Sequence, residues 1–264
     1  AESDEKIGLV GPLSNTASWQ SVPYIDMDDD WAQNEIPEGI TLQQWAELIE
    51  KESDKIYPRI PFLNGFCIML KRNTIDELGY FDEEVFGRGY GEENDYCLRA
   101  RKAGISLAIA DDSYIFHAQS KSYSNEKRKA LCEVADKNLA QKHGRRMIQE
   151  GVLYCQNNKI LEGIRACIEQ SGNRFKIINE GAEKFKNKKV VFILPVTNAG
   201  GGGNIIVDEA KAMQQMGIDV SLLNLSKNKE AFQKSYPILE LKVVWVDDVN
   251  EIPNACMNFN AVIA

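Results

Sequence analysis

Histidine is almost absent from this chain: His117 and His143 are the two it has among 264 residues. The six cysteines form no CxxC pair and share no regular spacing, so a structural zinc site is not expected. They stand in apolar or helical surroundings, which suits a reducing, cytoplasmic compartment. No apolar run approaches the roughly 18 residues that a membrane span needs, and no stretch reads as a signal peptide. Positive charge is short as well. Thirty-one Lys and Arg face 39 Asp and Glu, a net charge of −8, which argues against nucleic acid as the main partner. The basic residues gather at 121–146, in KSYSNEKRK and HGRR, a candidate segment for peripheral membrane association. Residues 1–54 are strongly acidic, and no internal repeat relates one half of the chain to the other.

What is present is ordinary globular composition, 44% hydrophobic and 27% charged, long enough for more than one core. KIGLVG reads as a buried strand ended by Gly11-Pro12. A long polar loop follows, SNTASWQSVPYIDMDDDWAQNEIPEG, of a length that is often functional. Thr41 and Gln44 have capping-box spacing at the start of a helix whose apolar stripe is Leu42, Trp45, Leu48 and Ile49. FLNGFCIML reads as a strand and NTIDELG as a short helix stopped by Gly79. SLAIA and the start of DDSYIFHAQS read as two short strands, with His117 just beyond the second. A long helix is expected from Ser124 to about His143, then further helix over 145–187. VVFILPV, the glycine loop NAGGGGN, the helix IIVDEAKAMQQMG and DVSLLNL make a βαβ unit, which requires a parallel sheet. KVVWV and NAVIA continue it, as in the first half of a doubly wound domain.

GRGYGEENDYCLRARKAG, residues 87–104, concentrates Glu92, Glu93 and Asp95 in one helical turn running from Glu92 to about Ala103. Acidic residues are favoured there by the exposed N–H groups, and Asp95 with Arg99 makes an ordinary i,i+4 pair. The same carboxylates suit proton abstraction, because a carboxylate at a helix N-terminus stays ionised at neutral pH. His117 alone would need carboxylate partners to hold a metal. Gly200 to Gly203 either make a tight strand-to-helix turn or expose backbone N–H groups to an anion. The acidic run Asp26, Asp28, Asp29 and Asp30 reads as surface, since no strand leads into it.

PLSNTASWQSVP, FLNGFCIMLKR, LGYFDEEVFGRGYGEENDYCLRARKAG and SYIFHAQSKS, in that order over residues 6–124, resemble family 2 glycosyltransferases of the GT-A fold. The resemblance implies a nucleotide-sugar donor, a glycan acceptor, a divalent metal (Mg2+ or Mn2+) and inverting transfer. The family's acidic pair falls on Glu92 and Glu93. Glu93 is then the base that deprotonates the acceptor hydroxyl, while Glu92 and Asp95 position substrate or the helix. Asn64 and Gly65 fall where the family brings backbone near donor sugar or acceptor, or else form a plain turn. His117 matches the histidine that assists metal or diphosphate binding.

Residues 188–264 resemble the beginning of family 4-type GT-B glycosyltransferases, which places Gly201, Gly202 and Gly203 at a substrate cleft. The expected architecture is α/β: 1–124 as the C-terminal half of a GT-A domain, 125–187 as a helical connector, and 188–264 as the first part of a Rossmann-like GT-B domain. Both ends read as cut, so a fragment of a multidomain enzyme, inactive alone, is expected. The rivals are a non-catalytic carbohydrate-binding or scaffolding module and an NAD-linked enzyme. The latter predicts an acidic residue after the second strand of the βαβ unit, and DVSLLNLSKN has none there.

Overall fold

The computed structural model describes residues 4–27, 30–87, 90–118, 125–237 and 239–264. Asp28 and Asp29 of the acidic run, Arg88 and Gly89 of the GRGYG loop, and 119–124, which include the start of the basic segment, lie outside them. The chain is of mixed α/β class and divides into two compact units, Ala1–Asn173 and Arg174–Ala264. The first runs from β1 (Ile7–Leu13) through a short hairpin, β2 (Asp26–Met27) and β3 (Asp30–Trp31), to α1 (Leu42–Glu52). Then come β4 (Met69–Leu70), α2 (Arg72–Leu78), α3 (Glu83–Phe86), α4 (Glu92–Lys102) and β5 (Ser106–Tyr114). Helices α5 (Asn125–His143), α6 (Arg145–Gln156) and α7 (Lys159–Lys184) follow.

β1 is the middle strand of a sheet ordered β4-β1-β5, antiparallel to β4 and parallel to β5. It does not stop at Gly11-Pro12: Pro12 pairs with Ala110. The proline is tolerated because β4 pairs only with Leu9 and Val10, so no ladder bond from Pro12 to β4 is required. The two strands expected over SLAIA and DDSYIF are one, β5. Of FLNGFCIML only Met69–Leu70 is a strand, since the Asn64 and Gly65 stretch turns the chain before pairing can begin. The capping box of α1 is present, with Gln44 N donating to Thr41 Oγ1 and Gln44 Oε1 accepting from Thr41 N.

The loop after β1 is polar yet buried: Ser14, Asn15, Thr16, Gln20 and Ser21 are each at most 5% exposed. Buried amides must find partners. Gln20 Nε2 donates to Pro12 O at 2.7 Å, and Asn34 Nδ2 donates to the carbonyls of Asn15 and Tyr24. Arg165 on α7 donates to the carbonyls of Ser21 and Trp19. The helices expected as a connector therefore belong, up to residue 173, to the first unit. Leu139, Cys155, Leu161 and Ile168 join its core beside Leu9, Trp45 and Leu98.

In the second unit, β6 (Lys189–Ile193), α8 (Gly201–Gln215), β7 (Asp219–Leu225), α9 (Lys229–Ser235), β8 (Lys242–Val246), α10 (Ile252–Cys256) and β9 (Ala261–Ile263) follow in turn. The sheet is ordered β8-β7-β6-β9 and is parallel throughout. In chain order within the unit that is 3-2-1-4, the order with which doubly wound sheets begin. Both faces of the central strands β6 and β7 are covered: Phe192, Val220 and Leu222 pack with Val207 and Ala210 of α8, while Val191, Leu223 and Val246 of β8 pack with Ile252 of α10. A parallel sheet buried on both faces explains the continuous apolar runs.

Candidate functional site

The N-terminus of α4 is set by Gly91, the residue before it, which has φ +96°. A Cβ there would meet Ala135 Cβ of α5 and Phe86 Cδ1 at 2.9 Å, so only glycine fits both the backbone and the space. Gly91 N donates to Glu93 Oε2 at 3.2 Å, and Asn94 Nδ2 approaches Oε1 at 3.5 Å. Burial pushes the Glu93 carboxyl above the usual carboxylate range. Helix-start N–H groups partly offset the shift, and the neighbouring Glu92 charge adds to it. Glu92 Oε2 is buried and has no hydrogen-bond partner among the described residues.

Asp95 points elsewhere. It is 0% exposed and is held by Arg99 Nε at 2.8 Å, Lys142 Nζ at 2.8 Å and His143 Nε2 at 2.7 Å. Burial opposes its ionisation, but the bonds from Lys142, His143 and Arg99 outweigh that and keep the carboxyl below its usual range. Asp95 thus fastens α4 to the end of α5 and is committed to the helix rather than to a substrate. Lys142 also reaches Asp82 of the α3 cap. Neither Lys142 nor His143 carries a sequence signal for this task, since both read as the basic last turn of a helix.

The turn at Asn64, Gly65 and Phe66 joins the remaining candidates. A Cβ on Gly65 would stand 3.2 Å from Glu93 Cβ and Cγ, so Gly65 makes room for that side chain. Asn64 N donates to Gln20 Oε1 at 2.7 Å, Asn64 Nδ2 to Ser18 Oγ at 3.1 Å, and Phe66 N to Asn64 Oδ1 at 3.0 Å. Phe66 stacks on His117, with ring centroids 4.9 Å apart and planes at 16°. His117 N donates to Asn15 Oδ1 at 2.7 Å, and its Nδ1 lies 2.9 Å from Thr16 O. A carbonyl there requires the proton on Nδ1, which leaves Nε2 as the basic nitrogen of the neutral ring. Glu93 and His117, 24 positions apart in sequence, thus flank one turn. Asn15, Thr16, Gln20 and Phe66 support them, and the density of small polar residues in PLSNTASWQS was their one signal.

As a metal centre the set is incomplete. Among the described residues no group of three His, Cys, Asp or Glu side chains is placed to hold an ion, and His117 would supply a single ligand. Burial pushes the thiols of Cys97 on α4 and Cys155 on α6 up to about 12, which disfavours their thiolate forms. A cavity of about 290 Å³ lies apart from the turn, between the end of α1 and α7, and neither Glu93, Asn64 nor His117 lines it.

In the second unit, Gly200 precedes α8 in extended conformation, and Gly201 and Gly202 face open space. Gly203 differs: a Cβ would stand 2.9 Å from Tyr236 Oη, which donates to Asn204 Oδ1 at 3.0 Å. Among the described residues no helix is long and apolar enough to cross a membrane.

No family model and no solved structure matches the chain. It is similar to uncharacterized proteins of Mycobacterium bovis and Mycobacterium tuberculosis, 37% identical over 62 residues. The matched stretch covers 23% of this chain and 24% of each relative, so the similarity spans about a quarter of their length.

Proposed function

We propose that the first unit is part of a glycosyltransferase that moves a sugar from a nucleotide-sugar donor to a glycan hydroxyl, with Glu93 as general base. One observation carries this reading. Glu93 is a desolvated carboxylate at a helix start, its pKa raised toward the range where a base works best, packed against Gly65 beside the His117 pair. In the proposed step Glu93 takes the proton of the acceptor hydroxyl. The freed oxygen bonds to the anomeric carbon, and the carbon–oxygen bond to the nucleoside diphosphate breaks, its electrons leaving with the phosphate. Attack from the face opposite the leaving group inverts that centre. In this reading Glu92, whose Oε2 lacks a hydrogen-bond partner among the described residues, positions substrate or the helix, and Asp95 holds the helix. No step is routed through a metal, because the described residues do not assemble one.

The second unit fits the start of a GT-B domain, supported by its parallel 3-2-1-4 sheet and by glycines for which neither backbone nor packing accounts at 201 and 202. The whole protein is expected to release nucleoside diphosphate from a nucleotide sugar in an acceptor-dependent way. Sugar binding without turnover of any common nucleotide sugar would instead favour a non-catalytic carbohydrate-binding module.

A further inference from the structure

We propose that the cavity of about 290 Å³ between the end of α1 and the start of α7 binds a small apolar cation, an ammonium group on a hydrocarbon ring or short chain. The site is separate from the transfer site and does not rest on that reading. Ile49 and Ile168 of the core line it, at 2% and 4% exposure, while Ile56 and Ile160, also lining it, stand half exposed. Gly163 on α7 completes the wall. Glycine weakens a helix interior relative to alanine. Neither backbone nor packing accounts for it here: φ is not positive, and a Cβ would meet nothing within 4 Å. The other glycines of α7 differ, since a Cβ on Gly172 or Gly181 would meet a side chain at 3.2 Å or 2.8 Å. What the missing side chain of Gly163 leaves open is the cavity.

Size and charge select the occupant. An apolar cavity of roughly 150 Å³ holds benzene, and drug-sized ligands need about 300 Å³ or more, so a single ring or short chain fits. Three carboxylates line the space, Glu52, Asp54 and Asp111, against one cation, Lys159. Lys159 is engaged, with its Nζ 2.6 Å from Glu162 Oε2, and Lys51 and Lys55 do not line the cavity. Asp111 accepts only from neutral donors, Ser53 Oγ and the backbone N–H groups of Ile56 and Tyr57. Glu52 and Asp54 are exposed and have no ion-pair or hydrogen-bond partner among the described residues. The helix ends add to this bias. At the start of α7, Asn158 Oδ1 already accepts from Ile160 N and Leu161 N. At the end of α1, Ser53 is extended, and no backbone N–H turns back onto the last carbonyls among the described residues. An open helix C-terminus favours a cation.

The test is a titration of the chain at neutral pH with benzylammonium, benzyl alcohol and benzoate, read from the Ile56 and Ile164 methyl signals and the Gly163 amide by NMR. Saturable binding of benzylammonium is expected at about millimolar concentration. The alcohol should bind about fivefold more weakly, because it forgoes attraction to two exposed carboxylates, and benzoate more weakly still. Gly163→Leu should fill the cavity and abolish binding without lowering the melting temperature. Glu52→Gln with Asp54→Asn should bring benzylammonium close to the affinity of the alcohol, and decides the matter should Gly163→Leu not fold. No saturable shift up to roughly 10 mM, or binding unchanged in Gly163→Leu, overturns the site. Equal binding of the three probes, or no effect of the neutralised pair, overturns the choice of a cation.

Discussion

Replacing Asp95 by asparagine keeps the side chain's shape and removes the charge on which Arg99, Lys142 and His143 converge. Removing one partner of a buried ion pair costs about 3–5 kcal/mol, because the other is left uncompensated. Two of the three partners keep some access to water, Arg99 at 20% and Lys142 at 29% side-chain exposure, while His143 is at 1%. The low end, about 3 kcal/mol, is therefore expected. The first unit spans Ala1–Asn173. A unit of that size loses roughly 2–4 °C of Tm per kcal/mol, so Asp95→Asn is expected to melt ~6–12 °C lower. Fluorescence reports mainly on this unit, since Trp19, Trp31 and Trp45 belong to it and Trp245 alone to the other. A shift no larger than the ~2 °C of an ordinary surface substitution would refute the assignment of Asp95 as the fastening of α4 to α5.

The same cluster makes stability depend on pH. Burial pushes the His143 pKa below its ordinary 6.5 by more than its bond to Asp95 raises it. The unfolded chain therefore binds a proton that the folded chain refuses, and the urea midpoint of the first unit should fall as pH drops below about 6.5. The depressed Asp95 carboxyl holds its contribution until pH falls through 3.8 and its own folded value, so a second loss follows there. His143→Gln should abolish the first slope alone. Gly65→Ala places a methyl 3.2 Å from Glu93 Cβ and Cγ; about 1 kcal/mol of destabilisation and a displaced Glu93 carboxyl titration by NMR are expected. Gly201→Ala meets open space and should stabilise the second unit by ~0.5–1 kcal/mol, whereas Gly203→Ala crowds Tyr236 Oη and should not, as thermal melts of that unit will show.

Local signals were readable where they act locally. The α1 capping box, the Gly91-led start of α4 and the βαβ run of the second unit follow from neighbours in sequence. What escaped depends on distant partners. The loop after β1 reads as long and polar, with no sign of where it goes; Gln20 and Asn34 find backbone carbonyls inside, and its first residues are buried. FLNGFCIML has the apolar density of a strand, but Asn64 bonds Ser18 and Gln20, and the turn wins over pairing. In the candidate site Glu93 and His117 were nameable through the family resemblance, not from spacing. Their juxtaposition was not, since Phe66 and Gly65 join them through contacts that no periodicity encodes. The i,i+4 pair of Asp95 with Arg99 was readable, whereas its bonds to Lys142 and His143, nearly fifty positions away, were not.

The central claim is that Glu93 removes the acceptor proton, and it is tested most directly by Glu93→Gln in the whole protein, with transfer rate and acceptor binding measured side by side. A positioned general base contributes about 10²–10⁴-fold, so transfer should fall by that factor while acceptor affinity stays near wild type. Transfer at the wild-type rate in Glu93→Gln would contradict the account.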